Sequence, residues 1–236
     1  MPAQSPIHIA FLLYENVTQL DLTGPAQVLS RLGNATIDLV AAARGPLATD
    51  SGFALHPTAT FGDIDRTDIL CVPGGFGTTA AMEDDVTLDW LSAVAPTASW
   101  VTSVCTGSLL LAAAGLLGGY RAACHWATRE HLALFGAIPV ADRVVFDRNR
   151  ATGGGVTAGI DFALALTAAI RGEDHARFVQ LSLEYDPAPP FDSGSPERAD
   201  AVTVERYRAM VARLAPDRAE RLAAIADRNQ ARRGRL

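Results

Sequence analysis

A chain of 236 residues, 49% of them hydrophobic, can bury a large core as one unit, and a net charge of −6 excludes an overall basic footprint for nucleic acid. It contains no lysine, which excludes a lysine Schiff base, a pyridoxal anchor and the lysine of a phosphate-binding loop together. Three scattered cysteines without a Cys-x-x-Cys pair do not make a disulfide framework, and the start Met1-Pro2-Ala3-Gln4-Ser5-Pro6 has no basic region ahead of an apolar one, so a cytoplasmic protein that neither spans nor binds membranes is expected.

In chain order, residues 7–14 are a nearly continuous apolar run, as in a central strand covered on both faces. Gln19-Leu20-Asp21-Leu22-Thr23-Gly24-Pro25 leads into a helix over 26–32, with Asp21 at the passage as a cap or Asx-turn. Residues 36–43 predict a strand and 45–60 short strands and turns. Residues 68–72 form a buried strand, with Cys71 in its core, that ends in Pro73-Gly74-Gly75. The glycine pair either brings bare amides close to a ligand or simply turns the chain. Helices follow, one opening within 76–81 and one over 85–95.

Trp100-Val101-Thr102-Ser103-Val104 is a β-branched run that meets a turn of small residues and then an Ala/Leu-rich segment, a strand, tight turn and helix with Cys105 at the corner. Ser103-x-Cys105-x-Gly107 is related to the Gly-x-Ser-x-Gly nucleophile elbow and departs from it at Ser103. A helix N-terminus can draw a thiol below its usual pKa of about 8.5 and activate it as a nucleophile. The competing reading is a buried core cysteine.

Residues 121–126 head a helix to about 134 that carries His131. His125 is a candidate base for Cys105 or a packing residue. A strand over 143–147 and a turn over 148–150 precede the glycine-rich 151–159, which lacks both Gly-Lys-Ser/Thr and dinucleotide spacing and reads as close-packed backbone near the site. Helices are expected over 160–170 and 173–185, the second with His175 on a solvated face. Residues 186–196, rich in proline, run over the surface. Val204, Tyr207, Val211 and Leu214 recur at helical spacing, and an arginine-studded helix follows Pro216. Both helices read as packing elements with solvated outer faces, because acidic residues are interleaved with the basic ones. The organisation expected is an α/β domain over 1–196, including the proline arm, and a helical extension over 197–236 packed on the domain or on a second copy. Alternating strands and helices predict a mostly parallel sheet with helices on both faces, and the Asp21, Gly74-Gly75 and Cys105 turns then share the carboxyl end of that sheet, where ligands gather.

The stretches Leu20-Asp21-Leu22-Thr23-Gly24-Pro25, Val72-Pro73-Gly74-Gly75, Val101-Thr102-Ser103-Val104-Cys105-Thr106-Gly107-Ser108, Thr152-Gly153-Gly154-Gly155 and Leu183-Glu184-Tyr185-Asp186-Pro187-Ala188-Pro189-Pro190-Phe191 resemble the ThiJ/PfpI superfamily over nearly the whole chain, and within it the isonitrile hydratase branch. The resemblance implies a flavodoxin-like fold, a homodimer, no metal or organic cofactor, Cys105 as nucleophile, Asp21 as its acid partner and Thr106 beside the nucleophile. It also implies a pocket bordered by the backbone of Gly75, Gly154, Gly155 and Val156. Peptidase-like relatives carry histidine after the cysteine and glutamine amidotransferases a distant His-x-Glu. This chain has Thr106 and no His-x-Glu, so both hydrolase readings weaken. The activity implied is the conversion of a small isonitrile to an N-substituted formamide through a cysteine thioimidate. Another enzyme of the superfamily, glyoxalase or amidase-like, and a non-enzymatic cysteine redox sensor are the alternatives. A regulator is disfavoured because the C-terminal stretch is too short for tandem helix-turn-helix units. The helix dipole favours negative charge on sulfur, with Asp21 keeping its proton and an elevated pKa.

Overall fold

The computed structural model describes residues 5–233; the reading of residues 1–4 and the last three positions of the extension, 234–236, lie outside the described residues. Strands β1 (Ile7–Leu12), β2 (Ala35–Ala41), β3 (Leu47–Ala48), β4 (Ala54–Leu55), β5 (Ala59–Thr60) and β6 (Ile69–Val72) occupy the first third together with helix α1 (Gln19–Leu29). Helices α2 (Thr78–Glu83) and α3 (Asp85–Val94) lead to β7 (Trp100–Val104) and α4 (Gly107–Ala113). Then come β8 (Arg121–Ala122), β9 (Ile138–Pro139), β10 (Val144–Asp147) and β11 (Arg150–Gly153), followed by α5 (Ala158–Arg171), α6 (Glu173–Ser182), α7 (Ala201–Leu214) and α8 (Arg218–Arg233).

Seven strands form the main sheet in the order β10-β11-β7-β6-β1-β2-β5, parallel throughout except for the antiparallel edge pair β10 and β11. The register sets Ile9 beside Ile37 on one side and beside Ile69 on the other, so the apolar run of β1 lies in the middle of the core. Burial on both faces is why β1 and β6 read as continuous apolar runs rather than alternating ones. Helices α1, α5 and α6 pack together, and α2, α3, α4 and α8 pack together. All seven residues of α4 are buried, which matches a helix that is apolar all round.

The structure departs from the sequence expectations at four places. Helix α1 starts at Gln19 and carries Pro25 inside it, so Asp21 stands in the first helical turn rather than in a preceding loop. Proline in a helix interior forfeits a backbone hydrogen bond. Here its ring packs where a Cβ on Gly159 would come within 3.0 Å of it, tying α1 to α5. Residues 121–135 are not one helix. Ala123 N–H donates to Thr152 Oγ1 at 2.8 Å and β8 pairs with β9, so neighbouring strands hold the segment extended, and a 3-10 turn over Arg129–Phe135 follows. The glycine-rich stretch opens with β11, which pairs with β7. Helix α6 ends at Ser182, and His175 is not on a solvated face, because its Nε2 lies 2.8 Å from the Arg31 carbonyl oxygen.

Helix α4 meets the end of β6 so closely that a Cβ on Gly107 would lie 2.1 Å from the Val72 carbonyl oxygen. Gly107→Ala is therefore expected to cost about 1–3 kcal/mol as overpacking against backbone, read as a lowered urea midpoint. An unchanged midpoint would contradict this packing.

Candidate active site

The chain leaves β7 at Val104 and enters α4 at Gly107, and between them Cys105 adopts φ 58°, a left-handed conformation uncommon outside glycine. Its N–H donates to the Gly153 carbonyl at 3.1 Å, which fixes the corner to β11. Ser103, the departure from the elbow pattern, is accommodated: its Oγ lies 2.8 Å from Ser108 Oγ, and Ser108 in turn donates to the Ala123 carbonyl.

Asp21 is 1% exposed. Its Oδ2 accepts the Gly74 N–H at 2.9 Å, its Oδ1 is buried without a well-formed hydrogen bond among the described residues, and the side chain interacts with the Cys105 thiol. Burial lifts this carboxyl from 3.8 to about 7 against the lowering effect of the Gly74 amide and the Cys105 thiol, while Asp50 pushes it further up. The Cys105 thiol is also pushed up, first by burial and then by Asp21 and Cys124, with the Thr106 amide opposing. This corrects the expectation of a sulfur held ionised by the helix dipole: α4 has seven residues, and desolvation outweighs its N-terminus. Both members of the pair resist negative charge, and they titrate together.

Thr106 closes the loop next to the sulfur. Gly75 N–H donates to its Oγ1 at 2.9 Å, that hydroxyl lies 2.7 Å from Thr78 Oγ1, and Thr78 donates to the Gly75 carbonyl at 2.8 Å. The amides of the glycine pair are thus spent on Asp21 and Thr106, holding the site in shape rather than reaching toward a ligand. Gly75 has φ 149°, and a Cβ there would lie 2.5 Å from the Asn16 carbonyl oxygen.

Above the sulfur is a cavity of about 150 Å³ whose lining includes Cys105, Thr106, Gly75 and Val156, all expected there. Gly154 and Gly155 lie instead along an adjoining groove beside Arg143 and the proline arm, and the Gly154 N–H is committed to the Arg143 carbonyl at 2.9 Å. His125 lines the cavity, yet its Nδ1 accepts the Ala127 N–H at 3.3 Å and its Nε2 lies 3.3 Å from Tyr207 Oη, so neither nitrogen is turned to the thiol. Burial brings its pKa down to about 4 and keeps the ring neutral. Cys71 and Cys124 are buried and pushed up to about 12 by that burial. Among the described residues no group of three or more His, Cys, Asp or Glu side chains is placed to hold a metal, and no helix is long and apolar enough to cross a membrane.

The rest of the lining was not visible in the sequence. Thr18 and Asp50, hydrogen-bonded to each other, form one wall, and Tyr207, Val211 and Arg218 from the C-terminal helices form a roof. Helical spacing marks Tyr207 and Val211 as apolar positions. What it does not carry is that α7 leads back over the elbow.

The DJ-1/PfpI family model matches residues 7–169. The chain belongs to the DJ-1/PfpI family. This family assignment and the observed sheet make its fold flavodoxin-like, with C-terminal helices beyond the matched span. Within the DJ-1/PfpI family it is 54% identical over 202 residues to the isonitrile hydratase of Pseudomonas putida, covering 86% of this chain and 89% of that one. A ThiJ/PfpI family protein from Pseudomonas syringae superposes with a TM-score of 0.87 at 44% identity over 95% of this chain and 92% of that one. The HTH-type transcriptional regulator GbdR of Pseudomonas aeruginosa is 32% identical over 76% of this chain but only 50% of its own length.

A carboxyl with a raised pKa holds a proton in the folded state that the unfolded chain releases, so the contribution of Asp21 to stability falls as pH rises from about 4 to about 7 and levels off above that. Asp21→Asn removes this dependence and gains stability relative to wild type across that window. Urea midpoints of both proteins at several pH values check it, and parallel profiles would contradict the buried protonated carboxyl.

Proposed function

We propose that this protein hydrates isonitriles to N-substituted formamides, with Cys105 as the nucleophile and Asp21 as the group that carries the proton. The observation behind this reading is the buried Asp21 carboxyl, whose side chain interacts with the Cys105 thiol that lines a small cavity, in a chain 54% identical to an isonitrile hydratase.

An isonitrile, R–N≡C, must gain both a nucleophile and a proton at its terminal carbon. As sulfur attacks, the thiol proton passes to Asp21 and from Asp21 to that carbon. The S–H bond breaks, C–S and C–H bonds form, and the product is the thioimidate R–N=CH–S–Cys105. Water then adds to the same carbon, the C–S bond breaks, sulfur recovers its proton and R–NH–CHO leaves. The pair ends with the proton it began with, and no electrons enter or leave. Whether that proton starts on sulfur or on oxygen, the sum of the step is the same. Thr106 keeps the elbow loop in place through the Gly75 and Thr78 hydrogen bonds, and Gly75 and Val156 shape the cavity.

A thiol pushed up by burial and by a neighbouring carboxyl is a poor peroxide sensor, because sensors depend on exposed thiolate. The redox-sensor reading loses support accordingly. We further propose action in the cytoplasm as a homodimer, with residues 197–236 as an extension whose α7 meets the second copy. In support, α7 buries none of its 14 residues and leaves Val202 and Leu214 exposed.

Replacement of Cys105 by alanine is expected to abolish formamide production from any isonitrile that wild type turns over, followed by chromatography of the formamide. Retained turnover would refute the nucleophile.

A further inference from the structure

We propose that Tyr207 is a catalytic residue of the hydrolytic half-reaction, in which its hydroxyl donates to the nitrogen of the Cys105 thioimidate while water adds to the carbon. The proposal rests on the isonitrile hydratase reading above and assigns a residue from the C-terminal helices to the chemistry.

The argument begins with His125. The Ala127 N–H points at Nδ1 from 3.3 Å, so Nδ1 accepts and the neutral ring carries its proton on Nε2. Nε2 lies 3.3 Å from Tyr207 Oη and can only donate there. The tyrosine oxygen therefore accepts from the histidine, and its own proton is left free for another acceptor. Tyr207 and Cys105 line the same cavity of about 150 Å³ and influence each other electrostatically, so an adduct on the sulfur lies within this chamber. The phenol is held in position from two sides: its ring stacks on His125 with centroids 5.7 Å apart and meets Trp126 at 5.1 Å. Burial and the nearby Cys105 raise its pKa, which keeps the proton on the oxygen.

Asp21 is assigned to the carbon bonded to sulfur, whereas Tyr207 lines the cavity, as Asp21 does not, and is assigned to the nitrogen one atom farther out. In the second half-reaction the oxygen of water bonds to the thioimidate carbon, and the C=N π pair moves to nitrogen. Nitrogen takes the Tyr207 proton, and Tyr207 takes one from the adding water, so one water O–H bond is exchanged for one N–H bond. The resulting R–NH–CH(OH)–S–Cys105 then collapses, its hydroxyl proton returning to the Cys105–Asp21 pair as the C–S bond breaks. Tyr207 ends unchanged. Its helix lies beyond residues 7–169 matched by the family model, which sets the donor outside the part of the chain shared across the family.

Tyr207→Phe keeps the ring and its stacking and removes only the hydroxyl. If formation of the thioimidate is untouched and its hydrolysis slowed, kcat and KM for an isonitrile fall together by about 10²-fold while kcat/KM holds, and intact-protein mass spectrometry after acid quench finds Cys105 carrying the isonitrile mass in most molecules. Decay of that preformed adduct, measured after removal of free isonitrile, is slowed by the same factor. An unchanged kcat, or a lowered kcat with Cys105 unmodified at steady state, would overturn the role of Tyr207. Wild-type protein that makes no formamide would overturn the hydratase reading itself, and this role with it.

Discussion

The contact on which this structure turns is a carboxyl pressed against a thiol out of reach of water. Each group alone would ionise at an ordinary pH; burial makes charge costly on both, the carboxyl makes it costlier still on the sulfur, and the carboxyl is lifted to about 7 although the thiol hydrogen bond opposes the rise. Such a pair is suited to moving a proton over a short distance, because the two groups are coupled and share it. Much of the local architecture serves that contact. The left-handed corner at Cys105 brings the sulfur to the sheet's end, Pro25 and Gly159 let α1 approach α5 with Asp21 in its first turn, and Gly74 lends its amide to the remaining carboxyl oxygen. A Cβ on Gly74 would lie 2.5 Å from the Thr106 nitrogen and 2.9 Å from Asp21 Oδ2, so the approach of the three loops depends on that residue having no side chain.

The site divides by origin. The Cys105 sulfur, the Asp21 carboxyl and the Thr106 hydroxyl come from the α/β domain within residues 7–169, whereas Tyr207, Val211 and Arg218 come from beyond it. A family that keeps one elbow and changes what closes over it can direct the same sulfur to different substrates. The regulator GbdR is similar to 76% of this chain over 50% of its own length.

Local chemistry made the elbow legible in the sequence. A β-branched run, small residues and an Ala/Leu helix adjoin one another, so periodicity and propensity suffice to place Cys105 at a corner. The parallel sheet followed from alternating apolar runs in the same way. Asp21 was half legible: its residue type spoke for a cap, and only resemblance pointed to the thiol, because Pro25 conceals a helix that begins six residues earlier. The segment over 121–135 misled because Ala and Leu favour helix, while the hydrogen bond from Ala123 to Thr152 belongs to a residue nearly thirty positions away. The charge state of Cys105 misled for a related reason, since a dipole can be read from a turn and burial cannot. Tyr207 was beyond reach altogether, its spacing being that of any packed helix.

The most direct measurement is the pH titration of the Asp21 carboxyl carbon by NMR in protein labelled with 13C at aspartate, assigned through the Asp21→Asn variant. The account predicts a midpoint near 7 for this one carboxyl. A midpoint in the ordinary range near 3.8 would show a carboxyl whose charge burial does not penalise, and would contradict the desolvated carboxyl–thiol pair on which the account rests.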